Sequence, residues 1–157
     1  MIVIELNEPP QGKGRPRFRV VKTRGGAVFG NAYTPINTRK FEGRLQAAAV
    51  SVMNGRQPLD GALVVVIRAF MPVPQSWPRR KRDAALTGVL QPTTKPDWEN
   101  IAKTLDAFNG VVWIDDRQIV DGRVIKSYSE KPGLMVEVKP VETALTAVTG
   151  GRAAVGA

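Results

Sequence analysis

The residues best suited to chemistry in this sequence are carboxylates concentrated in one segment. Residues 97–121 hold six of the chain's 14 acidic residues, opposed there only by Lys103 and Arg117. The six are Asp97, Glu99, Asp106, Asp115, Asp116 and Asp121. Carboxylate oxygens are ligands that Mg²⁺ takes in proteins, and the ion can bridge them to phosphate oxygens. A solvated acidic face paired with basic loops is the alternative, and charge alone leaves both interpretations open.

The rest of the chain is strongly basic. Residues 1–40 contain eight lysines and arginines against two glutamates, and the formal net charge is +9. A protein this basic usually meets a polyanion, so nucleic acid is the first candidate partner and an anionic membrane surface the second. We predict that two basic segments bind the nucleic-acid backbone while the acidic cluster binds a metal ion at the phosphate that is cut. Their residues are Lys13, Arg15, Arg17 and Arg19, and Arg79, Arg80, Lys81 and Arg82.

The absence of two residue types narrows the chemistry. The 157 residues include no cysteine and no histidine. Disulfides, thiolate zinc sites, cysteine nucleophiles and histidine-based acid–base catalysis are therefore excluded. No apolar run approaches the length of a membrane span, and the start MIVIELNEPP lacks the basic segment of a signal peptide. Any catalysis must use carboxylates, Lys, Arg, Tyr or a metal held by oxygen ligands.

The spacing of the acidic residues indicates how they are brought together. Pro96 favours an extended backbone at the preceding residue, so the helix should begin near Asp97. Residues two apart on a helix point to different sides, so Asp97 and Glu99 can converge only if Asp97 precedes the helix as its cap. Glu99 and Lys103 are four apart and share a face, which suits either an ordinary ion pair or an ammonium beside a metal site. Asp115 and its neighbour Asp116 should point in different directions if they lie on a strand.

The order of the predicted strands and helices indicates one compact α+β domain, residues 1–140, with a mixed sheet. We expect a basic N-terminal hairpin over residues 9–35, turning at Gly25-Gly26, and a final hairpin of two strands. The apolar spacing Trp98, Ile101, Ala102, Leu105 and Phe108 predicts the buried face of a helix that ends at Gly110. The predicted strands are 2–6, 62–70, 118–128 and 133–139, and the other helices are 37–54 and 79–86. The tail, residues 141–157, is expected to be disordered.

The segment KPDWENIAKTLDAFNGVVWIDDRQI resembles the signature of the RusA-type Holliday junction resolvases. That signature is an acidic D-x-D-N, a lysine four residues after the second acid, a D-A-L-N-G-like stretch and D-D-x-Q-[IV]. The N-terminal PQGKGRPR and Tyr33-Thr34-Pro35 also resemble the family's opening, so the likeness covers most of residues 1–139. The matching pieces are Asp97-Trp98-Glu99-Asn100, Lys103, Asp106-Ala107-Phe108-Asn109-Gly110 and Asp115-Asp116-Arg117-Gln118-Ile119.

The resemblance implies a Mg²⁺-dependent endonuclease, with Mn²⁺ as an alternative ion, that acts as a homodimer and nicks four-way DNA junctions symmetrically. By position, Asp97, Glu99 and Asp116 are implied as metal ligands and, with Lys103, as the catalytic set. Asp115 is a weaker metal candidate, and Asp106 is interpreted as structural. Glu99 stands where the family often has Asp, which shifts a ligand by about one bond in an octahedral site. Activity is expected to survive, with the rate or metal preference changed.

Other interpretations remain open at this level. A non-catalytic nucleic-acid-binding protein would share the basic segments, and a nuclease for other branched DNA would share the acidic site. Phe18 and Phe29 are expected in the core, whereas Trp77, which lies among Pro and Arg, is the better candidate to stack at a junction. A RusA-type protein is expected in the cytoplasm of a bacterium or encoded by a prophage.

Overall fold

The computed structural model describes residues 1–142, which form a four-stranded mixed sheet, a separate two-stranded hairpin and helices. This confirms the predicted α+β class. The strands are β1 (Ile2–Leu6), β2 (Arg17–Lys22), β3 (Val28–Tyr33), β4 (Leu63–Pro72), β5 (Ile119–Ser129) and β6 (Gly133–Pro140). The helices are α1 (Ile36–Met53), α2 (Arg79–Leu86) and α3 (Trp98–Ala102), with 3-10 turns at Lys103–Phe108 and Asp116–Gln118. The part of the predicted tail from residue 143 onward lies outside the described residues.

β4 is an inner strand of the main sheet, whose order is β1-β6-β4-β5. β6 pairs antiparallel with β1 and β4, whereas β5 pairs with β4 in parallel. The prediction that the last two strands form a hairpin is therefore wrong, because β4 lies between them. Along β4 every second side chain from Leu63 to Met71 is buried. Such an apolar run can take neighbours on both edges, and a turn signal between two later strands does not reveal which edge each one takes.

α1 covers the sheet with an apolar stripe. Phe41, Leu45, Ala49 and Met53 are buried on that face, at the four-residue spacing of a helix. The stripe contacts β1 and the 3-10 turn at Lys103–Phe108. α1 thus fixes the segment that carries the acidic residues against the core.

The predicted helix at residues 97–109 is shorter and tighter than expected. α3 ends at Ala102, and the chain continues as a 3-10 turn. The hydroxyl of Thr104 donates to the Ile101 carbonyl at 2.6 Å, so a side chain takes an acceptor that an α-helix would offer to its backbone. Leu105 is buried as predicted, but Trp98 is 65% exposed, so its assignment to the buried face is wrong. Ile101 and Phe108 are also buried, and Ala102 is half-buried.

The hairpin formed by β2 and β3 is confirmed, and all twelve of its strand residues are exposed. Gly26 adopts φ +81° in its turn, a conformation that favours glycine. Phe18 is 79% and Phe29 62% exposed, so the expectation of core packing is wrong for both, because this hairpin is a sheet separate from the core. Trp77, in contrast, is half-buried edge-on against Tyr128.

Within residues 1–142, none of the helices combines the length and the apolar character that crossing a membrane requires.

Candidate functional site

Asp97 lies immediately before α3, as the spacing of the acidic residues predicts. Its backbone is extended, with φ −70° and ψ 153°, and its carbonyl accepts the first helical hydrogen bond, from Ile101 N at 3.1 Å. The carboxylate does not cap the helix amides; instead it accepts from Asn100 Nδ2 at 2.9 Å. The side-chain amide thus holds one carboxylate oxygen in place.

Glu99 and Lys103 form the pair that their four-residue spacing allows. Lys103 Nζ lies 2.6 Å from Glu99 Oε1, and both side chains are more than half exposed. An exposed pair of this kind stabilises a protein by about 0.2–1 kcal/mol at most, so stability gives little reason for the arrangement. The pair instead places a mobile ammonium donor beside a carboxylate at the surface.

Asp116 reaches the same place from the other end of the acidic segment. It opens the 3-10 turn that leads into β5. With Glu99 and Lys103 it lines a cavity of about 270 Å³ between α3, β5 and the buried side of β4. Asp106 also borders this cavity. The structure therefore joins three of the four predicted catalytic side chains at one opening.

Asp115 precedes the 3-10 turn that Asp116 opens, so the two residues do not lie on a strand, which was the condition for predicting that they diverge. The Asp115 carboxylate accepts from the Arg117 amide at 3.0 Å and caps the turn. Gln118 completes the reciprocal half of this capping box, because its Oε1 accepts from the Asp115 amide at 3.0 Å. The weaker metal candidate is thus already engaged in local structure.

Gln118 is a positioning residue that the sequence interpretation missed. Its Oε1 also accepts from the Ile114 amide, and its Nε2 donates to the carbonyls of Leu59 and Gly61 at 3.0 and 2.9 Å. These four hydrogen bonds tie the turn that carries Asp116 to the loop before β4. The signal was available, since an acidic cap followed three residues later by glutamine is the sequence pattern of a capping box.

Asp97 borders a neighbouring cleft rather than the cavity. That cleft is lined by Gly12, Lys13, Arg15, Lys95 and Asn100, among others. Across residues 1–142 there is no group of three acidic side chains close enough together to hold one ion. The first turn of α3 thus separates Asp97 from Glu99 and Asp116, and the predicted set of three ligands stays a prediction.

The donor set at the cavity fits a hard divalent cation. Mg²⁺ typically binds one or two carboxylates and completes its octahedron with water and substrate phosphate oxygens, rather than a full protein cage. Glu99 and Asp116 offer two such carboxylates at one open cavity. A cation there would also compete with Lys103 for Glu99 and free the ammonium for another anion.

The glycine-rich segment before β2 packs on α3 and is held by Lys13. The Lys13 amide donates to the Asn100 carbonyl at 2.8 Å, and its Nζ lies 2.6 Å from Asp106 Oδ2 and 3.2 Å from Glu42 Oε1. A side chain on Gly12 would approach the Cβ atoms of Pro96 and Asn100 to 2.9 and 3.0 Å. The close approach therefore requires glycine and seats the basic hairpin beside the acidic segment.

Burial alone lowers the pKa of the Lys13 ammonium, but its hydrogen bonds to Asp106 and Glu42 and their negative charges outweigh that effect, and its pKa is raised. Lys13 is therefore a firmly charged cation that already has two carboxylate partners. Asp106 is engaged in this ion pair, and its interpretation as structural stays a prediction. The predicted role of Lys13 as a contact to DNA stays untested.

The other side chains that we predict to contact DNA differ in exposure and in the contacts they already make. Arg17 and Arg19 are exposed on the hairpin, and their cross-strand partners place them on one face. On α2, Arg79 is exposed, whereas Lys81 Nζ lies 4.0 Å above the ring of Trp77. Arg80 is exposed and Arg82 Nε is buried without a partner among the described residues. Arg15 is exposed and lines the Asp97 cleft.

Comparison with known proteins identifies the family to which this chain belongs. The family described as Endodeoxyribonuclease RusA matches residues 7–139. The chain belongs to the RusA endodeoxyribonuclease family. It is also 33% identical over 135 residues to the uncharacterized protein YqaN of Bacillus subtilis strain 168, covering 84% of this chain and 91% of that protein. The RusA match spans the hairpin, the cavity and the Asp97 cleft together.

Membership of the RusA family establishes the class of activity. The chain is an endodeoxyribonuclease, and the family's function is resolution of Holliday junctions, which are branched DNA. Nucleases of this kind generally use a divalent metal ion. The resemblance inferred from the 95–119 segment is thereby confirmed, and a purely DNA-binding role is set aside.

Proposed function

We propose that this chain resolves four-way DNA junctions by Mg²⁺-dependent hydrolysis and that a homodimer makes paired, symmetric nicks. The observation that carries the proposal is the meeting of Glu99, Lys103 and Asp116 at one cavity. The 33 residues from Pro9 to Phe41 supply basic charge without a single acid. A polyanion is thus attracted to the surface that presents the carboxylates.

In the proposed reaction Glu99 and Asp116 hold the ion, and Asp97, across the first turn of α3, contributes to the same site once DNA is bound. Mg²⁺ or Mn²⁺ bound there would supply Lewis acidity at the phosphate and favour deprotonation of water. Lys103 exchanges Glu99 for a phosphate oxygen and stabilises the charge that develops as water attacks phosphorus. The bond from phosphorus to the leaving sugar oxygen then breaks, and that oxygen takes a proton from solvent water. Asn100 holds the Asp97 carboxylate before DNA binds.

The homodimer follows from the number of sites. Each chain presents one cavity with these residues within residues 1–142, and resolving a junction requires cuts in two strands related by two-fold symmetry. A two-fold dimer places one site at each strand. Arg15, Arg17 and Arg19 are proposed to hold phosphates beside each site, and Arg79 and Arg80 to extend the contact.

The test compares cleavage of labelled four-way junction, flap and linear duplex of matched sequence in Mg²⁺. Wild type is expected to nick the junction in two opposing strands and to leave the duplex intact. Asp97→Asn is expected to bind the junction and fail to nick it. Faster cleavage of the flap than of the junction would replace this proposal with a nuclease for other branched DNA. Nicking by Asp97→Asn at the wild-type rate would remove that residue from the site.

A further inference from the structure

Trp98 is the side chain whose position the proposed chemistry leaves unexplained. It stands between Asp97 and Glu99 in the sequence, at the first position of α3, and is 65% exposed. The other two tryptophans are sheltered: Trp113 is fully buried, and Trp77 packs against Tyr128. Among residues 1–142, no aromatic ring or cation stacks on Trp98. A single exposed apolar residue is common on protein surfaces and does not by itself indicate a binding site. The residues around Trp98 are therefore the stronger evidence.

The neighbours of Trp98 form the cavity that the acidic residues border. Its walls are otherwise largely apolar, and five charged side chains complete the lining: Glu99, Lys103, Asp106, Asp116 and Arg123. Apolar walls with a few convergent polar groups are typical of a ligand site. Its apolar lining residues are Val65, Ile67, Ala102, Leu105, Trp113, Ile119 and Val124. Carboxylates and an ammonium suffice to hold a metal and a phosphate, so the apolar part needs another occupant.

We propose that Trp98 and the apolar part of this cavity bind one nucleobase of the strand being cut, next to the phosphate held at Glu99 and Asp116. This rests on the proposed nuclease site. A nucleotide has the chemistry that the cavity presents in two halves: an anionic phosphate that suits a cation site, and a flat ring with a π-face that suits an indole. The long basic segment without acids favours nucleic acid over a second basic copy of this chain.

The consequence is selectivity for branched DNA. A base inside a duplex is stacked on both sides and must be unstacked before it can lie on Trp98, and this costs least where pairing is already disturbed. Bases at the centre of a junction meet that condition. Trp98 is therefore a substrate-positioning residue that favours cleavage at a branch point, and its loss should affect binding of the reactive geometry more than the intrinsic chemistry.

The first measurement uses substitutions of Trp98 in the full chain with a four-way junction and Mg²⁺. Trp98→Ala is expected to raise KM about 5- to 100-fold, the range found for removal of one base-stacking aromatic, with a smaller change in kcat. Trp98→Phe should recover most of this loss, whereas Trp98→Leu, which is apolar without a π-face, should not. Equal KM for the Ala variant and wild type would overturn the inference.

The second measurement does not depend on cleavage. Junctions carrying 2-aminopurine at single positions around the cut phosphate are bound to Asp116→Asn, with and without Trp98→Ala. One position should change fluorescence with Trp98 present and recover without it. If no position responds to Trp98, or if Trp98→Ala only changes the oligomeric state in sedimentation, the indole is covered by something other than a base. If Trp98→Ala fails to fold, the fluorescence with Asp116→Asn and the Trp98→Phe kinetics decide the inference. Failure of wild type to cut any junction would instead overturn the proposed function.

Discussion

The replacement of Lys13 by methionine separates two roles that its position allows. The sequence assigns Lys13 to DNA, but the structure gives its ammonium two carboxylate partners and its backbone a hydrogen bond to α3. Methionine keeps most of the length of the unbranched side chain and removes the charge. If Lys13 holds the glycine-rich segment on the acidic segment, Lys13→Met should destabilise the fold before it weakens any phosphate contact.

The magnitude follows from the two partners. The contact to Asp106, whose side chain is 47% exposed, contributes about 0.2–1 kcal/mol. Glu42 is only 19% exposed, and its buried Oε1 has no hydrogen bond apart from the 3.2 Å ion pair, so leaving it without Lys13 costs about 1–3 kcal/mol. A sum of about 2 kcal/mol lowers Tm by about 4–8 °C in a chain of this size.

The pH dependence has a definite sign. The pKa of Lys13 is raised in the folded protein from its ordinary value of 10.5. Its stabilising effect is therefore fully present below pH 10.5 and is lost as the pH rises through the folded-state pKa. The difference in Tm between wild type and Lys13→Met should stay constant from about pH 6 to 9 and shrink above about pH 10.5.

Lys22→Met is the matched control, because Lys22 is exposed on the hairpin and undergoes the same chemical change. We expect it to shift Tm by less than about 2 °C, and Glu42→Gln to recover part of the loss in Lys13→Met. Thermal unfolding measures both. If Lys13→Met melts like Lys22→Met and lowers the salt dependence of junction binding by about one phosphate contact, the ammonium binds DNA and the reasoning is refuted.

Three further experiments test the assignments at the site. Asp115→Ala should lower the free energy of unfolding by about 0.5–2 kcal/mol through the lost cap, yet still cut junctions; a loss of cleavage equal to that of Asp116→Asn would make Asp115 a ligand. Arg17→Ala combined with Arg19→Ala should reduce the slope of log affinity against log salt by about 2 without changing Tm, and an unchanged slope would remove both from the interface. Glu99→Asp should cut within about tenfold of wild type, whereas Glu99→Gln should lose about 100-fold or more in initial rate. Equal rates for the two Glu99 variants would argue against a ligand there.

Local spacing predicted the parts of the site that lie close together in the chain. Asp97 before the helix and the pair of Glu99 with Lys103 depend on three- and four-residue geometry, which a sequence displays directly. The divergence of Asp115 and Asp116 was predicted for a strand, and the two residues lie at the start of a 3-10 turn instead. Even so, the position of Asp97 in a separate cleft was not foreseen, because the other wall of that cleft is the glycine-rich segment, which is distant in sequence.

Most of the missed features depend on more than local sequence patterns. Lys13 meets Asp106 across 93 residues, which no local pattern reveals. The exposure of Trp98 was missed because its spacing matches the buried face, while the helix that would bury it ends after five residues. The predicted pairing of the last two strands was wrong because the alternation of apolar residues and the turn signals identify β5 and β6 as strands. They do not show which edge of β4 each strand pairs with.

If Glu99, Lys103 and Asp116 form the metal-dependent site that cuts DNA, Asp116→Asn should lose cleavage while it keeps binding. Nicking of a labelled four-way junction in Mg²⁺ and binding to the same junction are measured in parallel for wild type, Asp116→Asn and the exposed control Asp60→Asn. We expect Asp116→Asn to lose about 100- to 1000-fold in rate with affinity nearly unchanged, and Asp60→Asn to match wild type. Cleavage by Asp116→Asn at the wild-type rate would contradict the account.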